Sequence, residues 1–259
     1  MKIRQATGGY FLEGQVYTRA LRYGRNLRGK TCFYIFGQGR TGSTLLVRML
    51  DSHQDIHCED ELLFHRRLFP LLYVKGKLGA CAEPVCGFHV KCYQITQQQG
   101  YKDARYFVER LQREGWKMVF LRRRDVVRHA ISPILAKARN LWHTGVDTKA
   151  RGDPPSVVLK PEQVVGAIRM REDYGKIEEA IVRDFDHFPI VYEDHLQTDA
   201  QREEISKSLC HYLGVEKCPL PASLQPTTGS SMSDLVSNFD EIKTAIARAG
   251  YGHFLQNLE

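Results

Sequence analysis

Residues 32–50 read Cys32-Phe-Tyr-Ile-Phe-Gly37-Gln-Gly39-Arg40-Thr41-Gly42-Ser43-Thr44-Leu45-Leu46-Val-Arg-Met49-Leu50. The first five are apolar, aromatic or β-branched without a polar break, the pattern of a short strand buried on both faces of a parallel sheet. Three glycines in the next six residues rule out a continuous strand or helix, and Leu45, Leu46, Met49 and Leu50 then recur at helical spacing. Strand, glycine-rich loop, helix is the order. Such a junction suits an anion, because the first N–H groups of a helix lack intrahelical partners and carry the positive end of the macrodipole. Glycines let the loop curl and aim further N–H groups inward. Ser43 and Thr44 add hydroxyls, and Arg40 adds a planar cationic fork. The plain alternative is a tight turn closed by a capping Ser43.

Gly37 and Gly42 have the spacing of a Walker A loop, but Ser43 stands where that loop needs lysine. The cation has moved inside the loop, to Arg40. A chain of 259 residues accommodates one large α/β domain. Hydrophobic residues make up 42% and charged residues 26%, which excludes disorder as the default. The net charge of +7 favours anionic ligands or surfaces without choosing among them. The seven cysteines form no C-x-x-C pair, so reduced thiols and a reducing compartment are expected, with no metal site. The N-terminal residues show charge but no apolar h-region, and no apolar run reaches membrane-span length; a cytoplasmic protein is expected. Attachment to a membrane surface through a Lys/Arg face stays open, with nothing in the residues arguing for it.

Outward from the loop, residues 1–30 read as a basic, aromatic arm or short helix ahead of a domain spanning 31–259. Ile56-His57-Cys58 is a short strand with Glu59 at its end, and Cys86–Tyr93 is strand-like with His89 and Lys91 on one side. Residues 102–114 suit a helix. Lys117–Leu121 is a strand that ends in Arg122-Arg123-Arg124-Asp125, followed by a helix with Ser132 before Pro133. In open α/β sheets ligands bind outside the carboxyl ends of strands, so both arginine-bearing junctions point to one sheet edge. Residues 137–160, holding Trp142 and His143, read as an insertion or substrate lid. Residues 161–185 and 199–213 are expected helices, Pro189–Asp194 a last strand, and 238–249 a terminal helix. The fold class is α/β: a single P-loop-like domain with a central parallel sheet flanked by helices.

Three islands together resemble the sulfotransferases that use 3′-phosphoadenosine 5′-phosphosulfate, most closely their bacterial carbohydrate and glycolipid branch. Arg40-Thr-Gly-Ser-Thr-Leu-Leu46 resembles the family's 5′-phosphosulfate loop. Arg124 and Ser132 have the eight-residue spacing of its 3′-phosphate clamp. Val191-Tyr192-Glu193-Asp194 resembles the segment after a late strand. The resemblance implies donor contacts from Arg40, Thr41, Gly42, Ser43, Thr44, Leu45, Arg124, Ser132 and Tyr192, release of adenosine 3′,5′-bisphosphate, and no metal. The chain lacks the Arg-Lys-Gly of the cytosolic branch, and Thr227–Ser231 is a weak candidate for the adenine side. The acceptor would be a hydroxyl on a glycan, glycolipid or small molecule, with no nucleic acid involved and the oligomeric state unreadable.

Transfer to a hydroxyl needs a base. The resemblance places it at Glu59, with Glu61, His89 and His53 as substitutes, and Lys91 as a cation near the bridging oxygen. Each has a plainer reading: an acidic turn, structural histidines, a surface lysine, and for Tyr192 a core aromatic. The competing functions are a P-loop kinase-like phosphotransferase, which lacks its lysine, and a non-catalytic polyanion-binding module, which explains the basic excess but not two paired anion signals.

Overall fold

The computed structural model describes residues 13–22, 27, 29–138, 156–216 and 231–257. Five strands form one parallel sheet: β1 (Thr31–Phe36), β2 (Ile56–Glu59), β3 (Val85–Val90), β4 (Lys117–Arg122) and β5 (His187–Val191). Their order is β2-β3-β1-β4-β5. After β1 the chain moves to one side, and after β3 it crosses to the other. The strand order therefore reverses at β1, where a doubly wound sheet opens a crevice at its carboxyl edge.

The period of two sorts β1 cleanly. Phe33 and Ile35 join one apolar cluster with α1 (Ser43–Asp51) and α6 (Asp199–Leu213), while Tyr34 and Phe36 join another with α2 (Pro70–Leu78) and α3 (Ala104–Arg113). That is why residues 32–36 have no polar break: both faces are covered. A third cluster joins α4 (Val126–Ala138), α5 (Pro161–Val182) and α7 (Phe239–Ile246) beyond the sheet edge.

One local expectation changes. The strand expected over Pro189–Asp194 stops at Val191, and Tyr192–His195 is a helical turn. The expected helix after β4 is α4, which runs through Pro133; its start is held by Asp125 and its apolar face is buried. Residues 62–78 resolve into an irregular segment and α2, which starts at Pro70, where proline's missing N–H costs nothing. The arm expected over residues 1–30 is helical at 13–22. Most of the expected lid, residues 139–155 with Trp142 and His143, lies outside the described residues, as do Thr227–Ser230.

Candidate functional site

The loop after β1 is held in a shape only glycine permits at two points. A Cβ on Gly37 would sit 2.0 Å from the Leu121 carbonyl oxygen, and one on Gly42 would sit 2.7 Å from the Tyr192 ring. Gly42 has φ 89°, and Arg40 also adopts a left-handed backbone, at φ 71°. A non-glycine residue rarely does so, and such strain clusters at ligand sites. The capping Ser43 of the plain reading does not occur: the N-cap is Gly42, which makes no side-chain cap, and among the described residues no side chain accepts a hydrogen bond from the first turn of α1. Those N–H groups are left for an anion.

Thr41 is not a free hydroxyl. Its Oγ1 donates to the Gln38 carbonyl at 2.7 Å and staples the loop from inside. Arg40 Nε donates to Ser132 Oγ at 3.1 Å, so the loop and the residue eight after Arg124 touch directly. Arg123, 7% exposed at its side chain, donates to the Arg40 carbonyl at 3.3 Å and lies 4.9 Å from the Tyr192 ring centre. Burial, and then the Arg123 charge, push the Arg40 guanidinium below its usual range. Glu193, 3.4 Å from Arg123 Nε, offsets part of the repulsion between the two cations, and an anion at the loop would offset more.

Arg124 is 53% exposed at its side chain and paired with Asp194. Glu193 accepts the N–H groups of Arg124 and Asp125 at 2.8 and 3.2 Å, so the Tyr-Glu-Asp segment braces the end of β4. Tyr192 itself is a packed wall under Gly42.

At the end of β3, Lys91 places its ammonium beside Gly39, where a Cβ would lie 3.2 Å from Nζ. The ammonium pairs with Glu61, whose other oxygen accepts from Gln94 at 2.8 Å. Glu61 is thus committed to holding a cation against the loop. His53 has both ring nitrogens engaged, one at 3.0 Å from the Glu216 carbonyl and the other accepting the Asp55 N–H. It is structural. His89 is fully buried and bonds Asp60 at 3.2 Å. Burial pushes the Asp60 carboxyl up, but the His89 bond and the His89 and Lys91 charges together bring it below the ordinary range. Glu59 pairs with Lys77 at 3.1 Å and lines, with Thr44, Arg48 and Asp60, a cavity of about 450 Å³. Asp60, Glu61 and His89 bring ligand atoms within 4.8 Å of one another, and the Lys91 ammonium supplies a cation there.

A second cavity, of about 480 Å³, opens on the other side of the loop. Gln38, Thr41, Arg123, Arg124, Arg171 and Phe254 are among its walls. Helix α5 contributes a buried network that sequence reasoning missed. Gln38 Nε2 donates to Glu178 Oε2 at 3.2 Å and to the Arg171 carbonyl at 3.1 Å, and Arg171 donates to Gln38 Oε1 at 3.3 Å. His129, also buried, bonds the Gly39 carbonyl through Nε2 at 2.7 Å. Burial and the nearby Arg171, Arg123 and Arg40 charges hold its pKa well down, so it donates as neutral imidazole.

Complete burial pushes the Glu178 carboxyl up to about 8, against the smaller opposing pulls of Gln38 and Arg171. Between its ordinary value and about 8, the folded chain holds a proton that the unfolded chain has released. This contribution to stability is complete at low pH and is lost as pH rises towards about 8. Glu178→Gln, neutral throughout, should flatten that slope. From pH of about 5 to about 8.5 the melting temperature of the unaltered protein should fall by about 5 °C more than that of the variant. Parallel slopes would show that Glu178 does not carry the buried proton.

Residues 33–113 match the sulfotransferase family. The matched stretch contains the loop, Glu59 and Lys91, and a sulfotransferase-family match supports sulfuryl transfer as the reaction class. It ends before Arg124, Ser132 and Tyr192, whose connection to the sulfotransferase-like segment is the geometry just described. No curated protein matches the chain.

Proposed function

We propose that the protein transfers a sulfuryl group from 3′-phosphoadenosine 5′-phosphosulfate to a hydroxyl acceptor. The observation that carries the reading is the uncapped start of α1, with Arg40, Arg123 and Ser132 gathered around the same loop. The residues suit a nucleotide with two anionic ends. Backbone N–H groups of residues 41–45 and Arg40 would take the 5′ end, and Arg124 with Ser132 the 3′-phosphate. The exposed Arg124–Asp194 pair costs little to open, so Arg124 is free to turn to a phosphate. Bound, the donor supplies the sulfuryl group and leaves as adenosine 3′,5′-bisphosphate.

The chain's own part is positioning and charge stabilisation. Arg40 and the loop N–H groups neutralise charge gained by the leaving phosphate. Glu61 and Gly39 hold the Lys91 ammonium next to it. Glu59 shares its cavity with Thr44, at the helix start, and would take the acceptor's proton there.

Adenosine 3′,5′-bisphosphate should raise the melting temperature, while ATP with Mg²⁺ and oligonucleotides should not. Arg124→Ala should weaken binding of the bisphosphate about tenfold or more, yet leave adenosine 5′-monophosphate nearly unaffected, because only the 3′ end is lost. Stabilisation by ATP–Mg²⁺ alone would favour the kinase-like alternative.

A further inference from the structure

Away from the nucleotide cavity, the helical residues 13–22 and the irregular segment 62–69 form one surface. The two are locked together. A Cβ on Gly76 of α2 would come 2.1 Å from the Val16 carbonyl oxygen, so the backbones touch. Tyr17 packs on Phe69 and Tyr73 with ring centres 5.6 and 6.4 Å apart, and its hydroxyl accepts the Phe69 N–H at 3.0 Å. The Gln99 amide pins the same segment, donating to the Leu63 and His65 carbonyls at 2.8 and 2.9 Å.

On this fixed platform Leu21 is 77% exposed, Phe64 54%, Leu68 66% and Phe69 60%. Four of the eight large exposed apolar side chains among the described residues thus fall on two short segments that touch. Clustered exposure of this kind marks a docking surface. Its charge is mainly positive: Arg19, Arg22 and Arg66 are exposed on these segments, while Lys75 and Lys77 pair with Glu114 and Glu59, and Glu13 is the acidic residue among the described ones. Glu13 is neutralised internally, 3.8 Å from Arg67 and bonded to the Leu68 N–H.

We infer that this face docks on an anionic phospholipid surface. Exposed leucine and phenylalanine enter the acyl boundary, and the surrounding cations meet the headgroup charge. A second copy of the chain would bring the same positive charge to the contact. A nucleic-acid backbone has phosphates for the cations but nothing for Leu21 and Leu68. The segment begins directly after Glu61, so docking would bring a membrane-borne hydroxyl to the Glu59 side of the loop. The docking itself does not depend on the proposed reaction.

Sedimentation with vesicles tests it. The full chain should partition onto phosphatidylcholine vesicles containing about 30% phosphatidylglycerol, weakly onto phosphatidylcholine alone, and less as salt rises. The triple variant Phe64→Ser, Leu68→Ser, Phe69→Ser should lower partitioning by about tenfold or more, and Leu21→Ser alone by about threefold. The exposed change Val158→Ser, beside the segment that pairs with Val236, should leave it unchanged. Melting curves verify folding; were the triple variant unfolded, Leu21→Ser would decide. Equal partitioning of folded variants and the unaltered chain overturns the inference, as does indifference of the unaltered chain to vesicles. Binding to a DNA duplex that persists in the triple variant, without vesicle binding, overturns it in favour of a nucleic-acid face.

Discussion

Glu59→Gln is expected to lower sulfuryl transfer by about 10²–10⁴-fold while adenosine 3′,5′-bisphosphate still binds. The range is what a positioned general base contributes, and the substitution removes the proton acceptor without changing the side chain's size. The competing carboxylates are differently placed. Glu61 has both oxygens engaged by Lys91 and Gln94. Asp60 is bonded to His89 and held below the ordinary carboxylate range once burial has been outweighed, which weakens it as a base. Glu59 ends β2 facing a cavity it shares with Thr44, and its ion pairs with Lys77 and His57 both use one oxygen, Oε1. Glu61→Gln should behave otherwise: it frees the Lys91 ammonium from the loop, so donor binding and turnover should fall together. Single-turnover rates with labelled donor, beside bisphosphate affinities, separate the two. An unchanged rate in Glu59→Gln would remove it as the base.

Gly37→Ala should destabilise the fold by about 3 kcal/mol or more, with a melting temperature lower by about 6–12 °C. The added methyl would meet the Leu121 carbonyl oxygen at 2.0 Å. Both partners are backbone, so no rotamer change relieves the contact. The loop or β4 must move, and either shift separates Arg40 from Ser132. Gly39→Ala is the comparison: its neighbour is the flexible end of Lys91 at 3.2 Å, so stability should fall far less. Equal melting temperatures for Gly37→Ala and the unaltered chain would mean that β1 and β4 are not seated as described.

Much of this was legible in the residues. Unbroken apolar runs at 32–36 and 118–121 announced parallel strands covered on both faces, and the glycine spacing announced the loop between β1 and α1. Placement was legible at the carboxyl ends of strands, where the fold puts Glu59, Lys91 and Arg124 as their spacing suggested; the roles given to them are proposals. It was not legible where the chain supports the loop from a distance. Arg171 and Glu178 lie among many charges in α5, and a solvated helix is the natural reading. Yet Val164, Ile168, Arg171, Glu178 and Val182 are all buried and follow the core-facing spacing of that helix. Charged residues at positions where periodicity demands apolar ones were the available signal. Arg123 was hidden differently: three consecutive arginines differ only in direction, and direction depends on where Tyr192 and Glu193 sit.

The most direct test is a crystal structure of the protein grown with adenosine 3′,5′-bisphosphate in the presence of EDTA. One nucleotide should span the carboxyl edge of β1 and β4, its 5′-phosphate on the N–H groups of residues 41–45 and its 3′-phosphate on Arg124 and Ser132. A nucleotide bound elsewhere, or one touching the loop with its 3′-phosphate free in solvent, would contradict this placement.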